Sequence, residues 1–189
     1  IGARSSRGHI GTLGMFFPWD SFNGATIAKT IGEASRLATF KDLRFKSKSE
    51  KRTFPNKLEI IGLNQSSDKF FSEINPICSG VELARELVGA PPNSLTPTEL
   101  ANQATNIAEK YGLESKILEK SQCEKEGMGA YLAVAKGSDM EPKFIHLTYK
   151  PSTETKYRIA LIGKGLTFDS GGYNLKVGAS QIEKMKYDM

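Results

Sequence analysis

Residues 161–176 hold four glycines, two lysines and one aspartate, directly after an apolar run. The run at 157–162, with Tyr157, Ile159, Ala160, Leu161 and Ile162, predicts a buried β-strand. Gly163, Gly165, Gly171 and Gly172 then allow backbone conformations that side chains forbid. The polar groups Lys164, Asp169 and Lys176 are thereby delivered to the carboxyl end of a strand, where open α/β sheets place their ligands. A second carboxylate, Asp188, follows nineteen positions after Asp169. Lysines and carboxylates fixed around one strand end suit a metal or phosphate site.

Each of these residues also has a plainer reading. A lysine ending a buried strand is costly unless paired, and Lys164 could simply pair with a carboxylate such as Asp169. Asp169 precedes Ser170-Gly171-Gly172, a usual place for a turn aspartate. Asp188 could be a surface helix residue paired with Lys184 at i−4. Lys176 could be a surface lysine. Other motifs fail on spacing. Phe168 stands where a nucleophile elbow around Ser170 needs glycine. Gly163-Lys164-Gly165 has neither the third glycine of a dinucleotide fingerprint nor the spacing of a P-loop. His9 and His146 are isolated, and His146 reads as a packed or edge strand residue.

The net charge of +5 is mild, and its lysines are scattered. The densest basic run, 44–52, has five Lys or Arg in nine residues and reads as a solvated loop. Nucleic-acid binding is therefore not expected, since it needs a clustered basic stripe. No apolar run approaches the ~20 residues of a membrane helix, so no membrane partner is expected. Cys78 and Cys123 are too few for a disulfide framework and fit a reducing compartment. The chain opens on Ile1 without a secretory pattern and stops at Met189 inside a helical one, and both ends are expected to be cut.

Residues 1–19 have no clear period and read as loop, with 1–20 expected to be disordered. Spacing of Ile27, Ile31, Ala34 and Ala38 predicts a helix over 21–40. A strand is expected at 58–63 and helices at 67–74 and 81–88, with Pro76 separating the two and Pro91-Pro92 ending the second. Thr96, Pro97 and Glu99 form an N-terminal capping signature. The helix that follows carries Leu100, Ala104, Ile107, Ala108 and Tyr111 as its apolar face and ends at Gly112. Strands are expected at 114–118 and 142–149, with a short helix at 121–126 between them. A helix opens at 181, with Ile182, Met185 and Met189 on one face. Helix and strand alternating from 81 onward argue for a layered α/β domain.

The 161–176 segment resembles the active-site signature of the leucyl aminopeptidases, the cytosol aminopeptidase family. The stretch 81–97, with Glu82, Arg85, Glu86, Gly89, Pro91, Pro92 and Asn93, resembles that family's linker helix and following turn. Gly127-Met128-Gly129-Ala130-Tyr131-Leu132 resembles its next recurrent stretch, and Thr39-Phe40-Lys41-Asp42-Leu43-Arg44 resembles the end of the amino-terminal domain in plant-like members. The resemblance covers 31–189 and does not extend to 1–23.

What the resemblance implies is an α/β protein: a partial amino-terminal α/β domain at 1–76, then at 77–189 a linker helix and the first part of a catalytic α/β domain with a mixed central sheet. It implies a metallo-aminopeptidase that releases leucine-like amino-terminal residues from peptides, using a water activated by two divalent metal ions, Mn or Zn, with Mg as an option. Lys164, Asp169 and Asp188 match three of the family's five protein metal ligands, and Lys176 matches its catalytic lysine. The downstream Asp-x-Glu-x-Arg segment that completes the family's site has no counterpart in 1–189. A fragment of such an enzyme, inactive and poorly stable alone, is thus the first expectation; a non-catalytic truncated product is the second, and a nucleic-acid-binding protein the third. The family also implies a homo-hexamer for the intact protein and a cytoplasmic location, or a plastid one if a transit peptide precedes Ile1.

Overall fold

The computed structural model describes residues 11–16, 23–48, 54–63 and 68–187. The chain divides into two units, Ile1–Glu86 and Leu87–Met189. Helices and strands mix in both, and the α/β class expected from the sequence holds.

In the first unit, strand β1 (Thr12–Phe16) pairs in parallel with β2 (Lys57–Ile61), Thr12 opposite Lys57 and Phe16 opposite Ile61. A parallel pair needs a crossover, and helix α1 (Gly24–Thr39) supplies it. Asn23 starts that helix by accepting from the Thr26 N–H at 3.1 Å, satisfying one of its orphan donors. The expectation of loop over 1–19 is corrected at 12–16. Gly11 and Gly14 hide the alternation there, because one side chain in the middle of β1 is missing, yet pairing with the apolar β2 still makes it a strand.

Helix α2 (Asp68–Gly89) runs straight through Pro76, so the two predicted helices are one. Proline removes one N–H and crowds the preceding turn, at a cost of about 3 kcal/mol. Continuity keeps Phe70, Ile74 and Cys78, spaced by four, on a single buried stripe that a break would divide. The Arg36 guanidinium steadies the same turn, donating to the Asn75 carbonyl at 3.2 Å and to Asn75 Oδ1 at 3.0 Å. Close approach of α1 is possible at Gly32, where a Cβ would lie 2.7 Å from Ile74 Cδ1 and 3.1 Å from the Phe71 ring.

In the second unit, α3 (Pro97–Tyr111) begins and ends where the sequence predicts. Thr96 accepts from the Glu99 N–H at 3.3 Å, Pro97 occupies the first turn, and Gly112 closes the helix at φ 66°. Glu99 turns its own carboxylate forward, to Gln103 at 2.7 Å. The buried stripe is Ala101, Ala104 and Ala108, with Tyr111 turned outward at 59% exposure, so the face is rotated from the one expected. Small side chains on the stripe suit a helix laid closely over strands β3 (Glu114–Leu118) and β4 (Phe144–Thr148).

These strands pair antiparallel, Glu114 opposite Thr148 and Leu118 opposite Phe144. Helices α4 (Lys120–Lys125) and α5 (Gly129–Ala135) lie between them in sequence. Cys123 is fully buried, and Tyr131 meets Phe144 edge to face with ring centres 5.7 Å apart. His146 is exposed on β4, as an edge histidine would be.

The predicted strand at 157–162 is not formed. Tyr157 is 85% exposed, Ile159 83%, Leu161 95% and Ile162 97%. Strand structure is a property of pairs, because extended backbone must find partners for its N–H and C=O groups. Among the described residues β1 pairs with β2 and β3 with β4, and this run forms no ladder with either pair. Among the described residues the strands form two pairs, one parallel and one antiparallel. The helix expected from 181 appears as a 3-10 helix, Ile182–Tyr187.

Candidate metal centre

The loop from 163 to 177 is shaped by its glycines and one aspartate. Gly165, Gly171 and Gly172 all have positive φ, at 64°, 90° and 65°. At Gly171 the conformation is doubly restricted, since a Cβ there would stand 2.4 Å from the Asn174 carbonyl oxygen. Asp169 Oδ1 accepts from the Gly171 N–H at 2.9 Å, a turn closed by a side chain standing in for backbone. The Lys176 N–H then donates to the Ser170 carbonyl at 2.9 Å, which brings the chain back on itself.

That closure puts Lys176 beside Asp169. Its Nζ donates to Asp169 Oδ2 at 2.8 Å and also meets Met185 Sδ at 3.1 Å. Both members of the ion pair are half-buried, each side chain 30% exposed. The Lys176 ammonium holds the Asp169 carboxyl below its ordinary value, helped by the Gly171 N–H and by the charge of Lys164, while burial opposes. Asp169 is thus an anion fixed at both oxygens and flanked by two lysines.

Lys164 does not end a buried strand. It is exposed, because the run before it is exposed too. The partner expected for it in the plainer reading, Asp169, is engaged at close range by Lys176 instead. Asp188 lies outside the described residues. The structure brings Asp169 and Lys176 together, with Lys164 near enough for its charge to act on Asp169.

The donors fit a divalent metal in kind and form part of a shell in number. Asp169 offers a hard carboxylate oxygen, and each oxygen keeps lone-pair capacity beyond its one hydrogen bond. Lys164 would offer an amine only once deprotonated, since its ammonium form has no lone pair. Among the described residues no group of three or more His, Cys, Asp or Glu could hold an ion. Four ligands are usual for zinc, so a complete shell needs donors beyond these.

Two residues had no functional signal in the sequence. Met185 reads there as an apolar helix position, yet its sulfur touches the lysine of the site. Lys186 does not stand out in the sequence, yet it is buried, and its Nζ donates to the Leu87 carbonyl at 3.2 Å.

Comparison with known proteins places these observations. A family profile described as the cytosol aminopeptidase family, catalytic domain, matches residues 82–189. A "Probable cytosol aminopeptidase" of Prochlorococcus marinus (strain MIT 9211) is 62% identical over 189 residues, 100% of this chain and 38% of that protein. One from Synechococcus sp. (strain CC9311), of the same description, is 52% identical over 188 residues, 99% of this chain and 38% of its own length. The solved structure of the bottromycin maturation enzyme BotP in complex with Mn superposes with a TM-score of 0.78 at 27% identity, covering 96% of this chain and 38% of that one. The chain thus spans about 38% of the length of the relatives it matches.

Proposed function

The chain belongs to the cytosol aminopeptidase family, and from that premise we propose that the protein containing it is a metal-dependent aminopeptidase that removes leucine-like residues from the amino ends of peptides. The observation that carries this reading is the Asp169–Lys176 pair, a fixed anion and a fixed cation on one glycine-shaped loop inside the matched catalytic region. Asp169, Lys164 and Asp188 would contribute metal-binding groups, as part of a set completed from the rest of the protein. A pair of divalent ions, when bound, supplies Lewis acidity and an acidified water. Mn is the first choice, since the BotP structure contains it, with Zn or Mg as alternatives.

Lys176 would serve differently. A positive charge held in place, by a short loop and two contacts, suits stabilisation of negative charge developing on the carbonyl oxygen of a peptide bond. Because Lys176 is steadied by Asp169 and Met185, its orientation is set before any substrate arrives. We assign 1–76 to a partial amino-terminal domain and 77–189 to the linker helix and the start of the catalytic domain. The intact protein would be a cytoplasmic homo-hexamer, or a plastid one. Among the described residues no helix is long and apolar enough to cross a membrane.

The test is hydrolysis of leucine amide by the purified intact protein, with Mn²⁺ supplied and then removed by a chelator. Cleavage that follows the metal supports the reading. Cleavage indifferent to metal, or none with metal restored, overturns it.

A further inference from the structure

Helix α2 ends against Pro91-Pro92, and the consequence falls on its last carbonyls. In a continuing α-helix the Leu87 C=O would accept from the N–H of residue 91, and the Val88 C=O from that of residue 92. Both of those residues are proline and have no N–H. The last turn of α2 contains no basic residue of its own to serve them. Lys186, ninety-nine positions away from Leu87, donates its Nζ to the Leu87 carbonyl at 3.2 Å. It is the charged side chain buried among the described residues, at 6% exposure. An ammonium pays heavily for leaving water unless it is bonded, and the negative end of a helix is a favourable place for it. Sequence and geometry agree that a lysine from elsewhere fills a position the prolines leave open.

The adjoining residue points to the site. Met185 and Lys186 are neighbours on the 3-10 helix Ile182–Tyr187. Three residues make each turn of such a helix, so neighbours face about 120° apart. Met185 meets Lys176 Nζ at 3.1 Å, and Lys176 in turn meets Asp169 Oδ2 at 2.8 Å. One short turn thus links the end of α2 on one side to the Asp169–Lys176 pair on the other.

We infer that Lys186 is a positioning residue: by docking on the Leu87 carbonyl it fixes the turn bearing Met185, and thereby holds Lys176 and Asp169 in register. The inference rests on the reading of Lys176 and Asp169 given above. It predicts that Lys186 matters to catalysis and metal binding without touching substrate or metal.

The experiment uses the intact protein and the variants Lys186→Met and Lys186→Arg. Lys186→Met keeps the length and removes the donor, while Lys186→Arg keeps a cationic donor. Thermal unfolding, Mn²⁺ affinity by calorimetry, and kcat and KM on leucine amide are measured for each. Lys186→Met is expected to unfold cooperatively, with Mn²⁺ affinity and kcat each reduced about 10–100-fold, the usual effect of losing an outer support of a metal site. KM changes little, and Lys186→Arg recovers most of both losses. A folded Lys186→Met with wild-type kcat and Mn²⁺ affinity overturns the inference. So does a Lys186→Met with no thermal transition, which assigns the residue to the fold, or a Lys186→Arg no better than Lys186→Met. If the wild type itself binds Mn²⁺ but cleaves nothing, the proposed function fails while the Mn²⁺ comparison still judges Lys186.

Discussion

Arg36 and Glu82 meet through two parallel contacts, Nε to Oε1 at 2.8 Å and Nη2 to Oε2 at 2.6 Å. The pair joins α1 to α2, and the same guanidinium reaches Ser79 Oγ at 2.9 Å. Planar two-point recognition of this kind is the strong form of an ion pair, and here the side chains are only 32% and 23% exposed. The Arg36 hydrogen bonds hold the Glu82 carboxyl below its ordinary value of 4.5, with burial opposing.

The sign of the pH dependence follows. A carboxylate with a lowered folded-state pKa stabilises above its unfolded value and loses that contribution as pH falls through the lowered one. Glu82→Gln should therefore lower the melting temperature at pH 7. Its difference from wild type should shrink once pH drops below 4.5. Thermal melts from pH 7 down to acid check this. A gap that stays constant with pH would remove the ion pair as its cause.

Lys176→Ala in the intact protein should leave Mn²⁺ affinity largely in place and cut kcat by about 10²–10³, the cost typical of losing one electrostatic donor. Parallel calorimetry and leucine-amide kinetics separate the two. Unchanged turnover would take Lys176 out of the mechanism, and loss of metal without change in turnover per bound ion would make it a support of Asp169.

Gly171 and Gly172 offer a controlled comparison. Both have positive φ, but a Cβ meets a backbone oxygen at 2.4 Å at Gly171 and only open space at Gly172. Left-handed backbone costs a non-glycine residue roughly 1–2 kcal/mol, and Gly171→Ala adds a collision that must move the Asn174 carbonyl. Gly171→Ala should expose the 163–177 loop to limited proteolysis far more than Gly172→Ala does. Equal cleavage rates in the two variants would show that the turn yields easily.

What was legible in the sequence was mostly local. Thr96, Pro97, Glu99 and Gly112 are signals read within a few residues of where they act, and α3 starts and stops on them. The β3 limits were equally legible, since a short segment sits between Gly112 and the next helix. The site's ion pair was half legible. Lysine and aspartate were expected to meet, but the lysine is Lys176, because the Ser170–Lys176 backbone closure that selects it cannot be seen in spacing. Least legible were pairings between distant segments. The run at 157–162 has every composition mark of a strand and, among the described residues, no strand partner, while β1 has few such marks and a partner in β2. Pro76 misled for a similar reason, because the buried stripe that carries α2 past it is tertiary.

The parallel ladder of the first unit also sets a timetable. Thr12 is paired with Lys57, forty-five positions later. At a synthesis rate of about 5–20 residues per second, Thr12 is added to the chain roughly 2–9 s before Lys57. Helix α1 needs only its own residues for its backbone bonds, and helices close in about a microsecond. The crossover is thus made before the strands it connects can meet, and β1 must wait for β2.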